Sequence, residues 1–298
     1  MRPPAAEARF AWVLNLGVED EFAGRATQSR EAEERARIWA RTLSDLVTPR
    51  GAVIDSSLPE ERGAYTGAIG RAFCPTPSAL AHLARSGATI PHAPSYEVLR
   101  RVNHRSFLGR HACSLPGATF SVTIEDALAT LSRSSLSGTW VAKRPFGCAG
   151  RGHRRIRDGE LTDADRAWLL KSIQHEGGVH LEPWVNRVSD HALHGYLSPA
   201  GHLTLGTPTA QQCDHLGRWQ SSTPTPLEDP ARKAFASMAE IAAEALHRAS
   251  YFGPFGIDAY RWRTPEGEIA WQWMSDLNAR YSMGWALGMG EKRPDLED

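Results

Sequence analysis

Trp140-Val141-Ala142-Lys143-Arg144-Pro145-Phe146-Gly147-Cys148-Ala149-Gly150-Arg151-Gly152 reads as a short strand that ends on a lysine and runs into a glycine-rich, basic loop. Lysine is a compact point charge suited to phosphate oxygens. Gly147, Gly150 and Gly152 lack the Cβ atoms that would keep backbone N–H groups away from an anion. A polyphosphate is the guest this chemistry suits. The spacing G-x-x-G-x-G has no Gly-Lys-Ser/Thr ending and no helix start behind it, so neither the P-loop nor the dinucleotide fingerprint is present. Taken alone, the stretch also fits a hairpin loop whose basic side chains are merely solvated.

Lys143, Arg144, Arg151, Arg154, Arg155 and Arg157 crowd this region, yet the whole chain balances 34 basic against 34 acidic residues. No overall field therefore points to nucleic acid or to an anionic membrane, and the patch lacks the interleaved aromatics of a nucleic-acid surface. At 298 residues and 41% hydrophobic, the chain exceeds the usual reach of one core, and more than one lobe is expected. Cys74, Cys113, Cys148 and Cys213 form no C-x-x-C pair, which argues against a zinc site or a disulfide framework and suits a reducing cytoplasm. The opening residues lack the apolar core of a signal peptide, and no apolar run reaches membrane-spanning length. A cytoplasmic protein is expected.

Upstream of the loop, Phe10–Leu16, Gly51–Asp55 and Arg71–Cys74 read as strands, alternating with a helix from Ser29 to Val47 and one from Thr76-Pro77 to Gly87. This order suggests a small α/β lobe with a largely parallel sheet, whose strand ends would offer Asn15, Glu19, Asp20 and Asp55 to a substrate. Solvated turn acids are the plainer reading of each. Downstream, Thr123 and Thr162 open helices, Val179–Glu182 is a strand running into Pro183-Trp184-Val185, and His191–Leu197 with His202–Leu205 form an antiparallel pair. Gly206–Asp229 reads as a loop by composition. The helix from Asp229-Pro230 places Phe235, Met238, Ile241, Ala242, Ala245 and Leu246 on a core face.

Ile257–Trp262 and Ile269–Asn278 flank the turn signal Thr264-Pro265-Glu266-Gly267. With Glu266-Gly267 as a two-residue loop, Asp258 lies opposite Ser275, and a one-residue bulge would bring Asp258 beside Asp276, with Asn278 on the same face. Adjacent carboxylates repel unless a cation lies between them, and Mg²⁺ takes hard oxygen ligands of this kind together with phosphates. One exposed acid on each strand is the alternative.

Together and in this order, the strand lysine with its glycine-rich loop, Glu182-Pro183-Trp184-Val185, and Asp258 followed by Asp276-x-Asn278-x-Arg280 resemble the ATP-grasp family of ligases. The resemblance spans Asn103 to Met283. It implies an α/β (α+β) protein in which two α+β lobes grip a nucleotide: 103–185 as the small lobe, 186–298 as the metal-bearing lobe, and 1–102 as the preceding parallel-sheet domain. By this resemblance Lys143 and Arg105 bind nucleotide phosphates, and Gly147, Gly150 and Gly152 belong to a loop closing over them. Glu182, Trp184 and Val185 line the adenine at the hinge, with Asp190 at the ribose. Asp258, Asp276 and Asn278 hold Mg²⁺, with Mn²⁺ as a substitute, and Lys143 and Arg280 stabilise the transferred phosphoryl group. Asp276 stands where glutamate is commoner. The implied activity is joining a small-molecule or peptide carboxylate to an amine or thiol through an acyl phosphate. A kinase on the same fold and a nucleotide-binding protein without turnover are the alternatives. Homodimers are common in the family. No readable motif marks the acceptor pocket.

Overall fold

The computed structural model describes residues 8–25, 43, 46–47, 51–54, 62–109, 114–147, 152–214 and 219–297. The expected helix from Ser29 to Val47 falls largely outside these residues, as do Asp55, Gly150 and Arg151.

The N-terminal part is a three-stranded sheet of β1 (Phe10–Val13), β2 (Gly51–Val53) and β3 (Ile69–Ala72), in the order β2-β1-β3 with both pairings parallel. All of β1 is buried, as the middle strand of a parallel sheet must be. Helix α1 (Val18–Phe22) follows β1 directly. After β3, Thr76-Pro77 opens α2 (Pro77–Ser86), which stops at Gly87 with φ 84°, a left-handed cap that a side chain would resist. Helices α3 (Tyr96–Val102) and α4 (Arg105–Leu108) then lead to the glycine-rich region.

That region belongs to a four-stranded antiparallel sheet ordered β4-β7-β5-β6, built from β4 (Thr119–Ser121), β5 (Thr139–Lys143), β6 (His153–Arg157) and β7 (Val179–Pro183). Two helices pack on it. The Thr123 hydroxyl caps α5 (Ile124–Leu131), and a reciprocal Thr162–Asp165 capping box starts α6 (Asp163–Glu176). Their core is Ala127, Leu131, Trp140, Ala142, Leu169 and Leu181.

The largest sheet runs β11-β10-β8-β12-β13, with β9 on β8. Its members are β8 (Asn186–Leu197), β9 (Leu203–Leu205), β10 (Thr209–Cys213), β11 (Trp219–Pro224), β12 (Gly253–Arg263) and β13 (Ile269–Asn278). Strands β10 and β11 correct the expectation of a loop over Gly206–Asp229. Their residues are mostly polar and only Thr209 is buried, so no apolar alternation announces them; pairing with β8 supplies what composition hides. Helix α7 (Asp229–Arg248) covers the sheet with Phe235, Ala239, Ala242, Ala243 and Leu246, while Ile241 is 39% exposed instead of facing the core.

The hairpin of β12 and β13 turns through Pro265-Glu266-Gly267, closed by the Thr264 N–H on the Glu268 carbonyl at 2.8 Å, one residue longer than the loop expected. Arg263 faces Ile269 and Tyr260 faces Gln272; the register then shifts, so that Asp258 faces Asp276 and Gly256 faces Asn278. Helix α8 (Trp285–Met289) and a 3₁₀ turn at Pro294–Leu296 end the described chain.

Phe146, at the root of the glycine-rich loop, is buried in a core shared with Val18, Phe22, Leu99, Leu193 and Ile257, its ring centroid 5.7 Å from that of Phe22. Burying one such side chain stabilises the arrangement by roughly 1.5–3 kcal/mol. The loop therefore springs from a fixed base.

Candidate functional site

Val141 pairs with Glu182 across β5 and β7, so Lys143, two residues along, shares Glu182's face of the sheet. Lys143 Nζ lies 2.5 Å from Glu182 Oε1, both side chains are under a tenth exposed, and His180 Nε2 stands 3.2 Å from the other oxygen. Burial pulls the lysine ammonium down from its ordinary value, against the support of the Glu182 charge. Burial alone would raise the Glu182 carboxyl, but Lys143 and His180 hold it well below the usual carboxylate range. The pair is a cation kept in place by its own counter-ion, at the mouth of the glycine-rich loop.

The loop itself closes by Arg144 N–H on the Gly152 carbonyl at 2.9 Å, with Gly152 at φ 77°. Gly150 lies outside the described residues. After β7, the Trp184 N–H donates to the Thr139 carbonyl at 2.8 Å and its own carbonyl accepts from Ser137 Oγ, so this peptide's polar groups are spent on the sheet. The Trp184 ring carries the Arg155 guanidinium 3.6 Å above its centre. Val185 packs with Leu115, Tyr260 and Trp262.

On the other sheet the register shift brings Asp258 and Asp276 side by side. Gln211 Nε2 donates to Asp258 Oδ1 at 2.9 Å, and Asn278 Nδ2 to Oδ2 at 3.2 Å. Asp190 is a neighbour through β8, where it also pairs with Arg187 at 3.1 Å. Burial, then the charge of Asp276, push the Asp258 carboxyl up to about 7, with Asp190 adding to the effect. Two facing carboxylates that resist carrying two negative charges favour a proton or a cation between them. Two carboxylates and an amide oxygen form a hard donor set that fits Mg²⁺ or Mn²⁺, which take carboxylate and phosphate oxygens. Among the described residues no cluster of three or more His, Cys, Asp or Glu side chains has metal-binding geometry, so any ion here would need ligands from elsewhere as well.

Arg105 joins the two halves. Its Nε donates to the Arg144 carbonyl at 3.0 Å and its Nη2 to the Gly147 carbonyl at 3.2 Å, while Nη1 lies 3.0 Å from Asp276 Oδ2. One buried guanidinium thus touches the root of the glycine loop and the acidic pair.

Arg280 is engaged differently. Buried, it pairs with Glu19, donates to the Tyr281 carbonyl at 3.0 Å and lies over the Phe73 ring. Its partner Glu19 comes from α1, and the next residue, Asp20, binds Arg25 at 2.7 Å. Arg25 in turn reaches Glu176 at 2.7 Å and the Phe146 carbonyl at 3.2 Å. Arg144 shares Glu176 at 3.0 Å. Asn15, by contrast, is structural: its amide donates to the Cys74 carbonyl and accepts from the Cys74 N–H at 2.8 and 3.0 Å. Gln211, Arg25 and Glu176 were not legible as site residues. Gln211 sits in a segment that reads as loop, and the other two lie 151 residues apart.

No protein-family model matches the sequence, and no curated protein sequence matches it. Solved structures do. D-alanyl-alanine synthetase A from Vibrio cholerae aligns with a TM-score of 0.53 at 12% identity, over 97% of this chain and 93% of that one. N5-carboxyaminoimidazole ribonucleotide synthetase from Thermus thermophilus aligns with a TM-score of 0.51 at 18% identity, over 91% of this chain and 71% of that one. The biotin carboxylase domain of Hydrogenobacter thermophilus 2-oxoglutarate carboxylase, solved with MgADP and bicarbonate, aligns with a TM-score of 0.54 at 12% identity, over 92% of this chain and 64% of that one. The chain has the ATP-grasp fold. At these identities the likeness concerns the fold, and the chemistry rests on the residues.

Proposed function

We propose that the protein is an ATP- and Mg²⁺-dependent ligase that joins a carboxylate to an amine, or to a thiol, through an acyl phosphate. The observation that carries this is the meeting of Asp258, Asp276 and Asn278 with Arg105, whose other donors hold the glycine-loop root beside the buried Lys143–Glu182 pair. The structural neighbours solved with nucleotides or named as synthetases support the reading. In this view 1–102, 103–185 and 186–298 are the three working lobes.

Asp258, Asp276 and Asn278 would hold the metal, which when bound supplies positive charge to the nucleotide phosphates. Lys143 and Arg105 neutralise phosphate oxygens beside Gly147 and Gly152, and the segment from Glu182 to Val185 borders the base, with Asp190 near the ribose. The substrate carboxylate attacks the γ-phosphorus while the bond to ADP breaks. Arg280 would balance the charge that develops, with Glu19 as the partner that orients this arginine. The amine nitrogen then bonds to the acyl carbon, phosphate leaves, and the amine proton passes to solvent. In-line phosphoryl transfer asks the protein for position and charge, which this set provides.

The test is ADP and phosphate release by the purified chain with Mg-ATP against pools of carboxylic acids and amines. Release that requires both an acid and an amine is the expected result. A stable phosphorylated product that forms without any amine would replace ligation by a kinase reaction.

A further inference from the structure

A cavity of about 270 Å³ lies away from the glycine-rich loop, between β3, the segment Pro91–Pro94, the end of β8 and the residues Tyr251–Pro254 that enter β12. Arg280 and Tyr281 form part of its lining, so the cavity adjoins the arginine assigned above to the phosphoryl group.

Its wall combines two features that point to one ligand chemistry. The first is a pair of unspent donors. Arg71 uses Nε on the Asp295 carbonyl at 2.9 Å and Nη1 on the Gly70 carbonyl at 3.1 Å, but its Nη2 has no hydrogen-bond partner among the described residues. Tyr251 and Tyr281 spend their hydroxyls on the Pro254 carbonyl and on Asp295, whereas the Tyr196 hydroxyl has no such partner among the described residues. Arg71 and Tyr196 both line the cavity, where burial and the Asp295 charge raise the Tyr196 phenol and Arg71 opposes them. The nearest buried acid, Asp295, is already matched by Arg293 at 2.8 and 2.9 Å, so the positive charge of Arg71 is not consumed by it. A guanidinium edge and a phenol hydroxyl on the wall of one cavity are the donors a carboxylate takes.

The second feature is flatness. His92 and Phe252 pack ring to ring with centroids 4.6 Å apart, and Pro91, Pro94, Pro199 and Pro254 frame them with rigid rings. Pre-set apolar walls of this kind suit a planar or cyclic side chain. The volume is just below the usual range for drug-sized ligands, which favours a single amino acid over a peptide.

We propose that this cavity binds a ring-bearing amino acid, its carboxylate held by Arg71 and Tyr196 and its side chain between the His92–Phe252 pair and the prolines. Resting on the ligase reading, the inference makes that amino acid the amine partner, with its nitrogen left free on the Arg280 side.

Calorimetric titration of the full chain without nucleotide tests the cavity, using L-phenylalanine, L-tyrosine, L-proline and, as the carboxylate-free control, phenethylamine. At least one of the three amino acids should bind, and phenethylamine should bind about ten-fold more weakly or worse, as loss of a charged hydrogen bond requires. Arg71→Gln should weaken the amino acid by a similar factor. Ala93→Trp fills the cavity from a partly exposed wall position and should abolish binding with the melting temperature kept, which covers the case in which Arg71→Gln fails to fold. Binding that survives Ala93→Trp, equal binding of phenethylamine, or no binding by any of the three overturns the proposal. Phosphate release with Mg-ATP is scored separately. Binding without release removes the ligase and leaves the cavity; amino-acid-dependent release undiminished in Ala93→Trp removes the cavity and leaves the ligase.

Discussion

The Arg105 guanidinium lies 3.0 Å from the Asp276 carboxylate while the same group donates to the Gly147 carbonyl at 3.2 Å. A helix that precedes the glycine-rich loop thereby links it to Asp276, 129 residues beyond Gly147. Arg105→Lys keeps the charge but cannot span three acceptors with one planar fork. The expected result is Mg-ATP binding weakened by about ten-fold, with the ligand-free melting temperature little changed, as read by nucleotide titration and thermal melts.

Lys143→Met should abolish Mg-ATP-dependent turnover and also destabilise the fold, because it leaves the Glu182 carboxylate buried without its cation. Removing one partner of a buried pair costs about 3–5 kcal/mol. Lys143→Met combined with Glu182→Gln should recover most of that stability in urea unfolding and none of the turnover. Recovery of both would separate Lys143 from the chemistry.

Asn278→Ala and Asp276→Ala are expected to remove the thermal stabilisation conferred by Mg-ATP. The metal-free melting curve of Asn278→Ala should stay within about 1 kcal/mol of the parent, since the lost contact is a single hydrogen bond to Asp258. An undiminished Mg-ATP shift in both variants would rule out the acidic pair as the metal site.

His194 is fully buried, and burial lowers its pKa to about 4. An unfolded chain takes up a proton at this residue as pH falls through about 6.5, whereas the folded chain resists until about 4. The neutral ring's contribution is therefore complete above about 6.5 and lost progressively down to about 4, a difference of about 3 kcal/mol. Urea midpoints measured across that window should fall more steeply for the parent than for His194→Gln.

The same ring explains a glycine. A Cβ on Gly288, in α8, would stand 2.3 Å from His194 Nδ1, so Gly288→Ala must push the ring or the helix aside. A loss of about 1–3 kcal/mol is expected, and His194→Ala in the same chain should relieve part of it in a double-mutant cycle.

Much of the fold was legible because it rests on local signals. Thr76-Pro77 with Gly87, and Thr162 at the start of its helix, mark helices by capping chemistry that needs only near neighbours, and the turn at Pro265-Glu266-Gly267 marks its hairpin in the same way. The pairing of Asp258 with Asp276 follows from that hairpin and one irregularity, although the turn is one residue longer than two and the register shift larger than a single-residue bulge. Strands β10 and β11 were not legible, since mostly polar strands carry no period-two apolar signal, and Gln211 was hidden with them.

By itself the sequence determined the strand lysine and its glycine loop, Asp276 and Asn278 two apart on β13, and the order in which these motifs follow one another. All of that is chemistry within a few residues or across one turn. Only the tertiary structure decided that Lys143 would be buried against Glu182, that Arg105 would join loop to acids, and that Arg280 would be held by Glu19 from the opposite end of the chain. Charges separated by tens to hundreds of residues meet because separate apolar cores dock their sheets together. Pairwise electrostatics then depends on burial and distance, which no local pattern encodes.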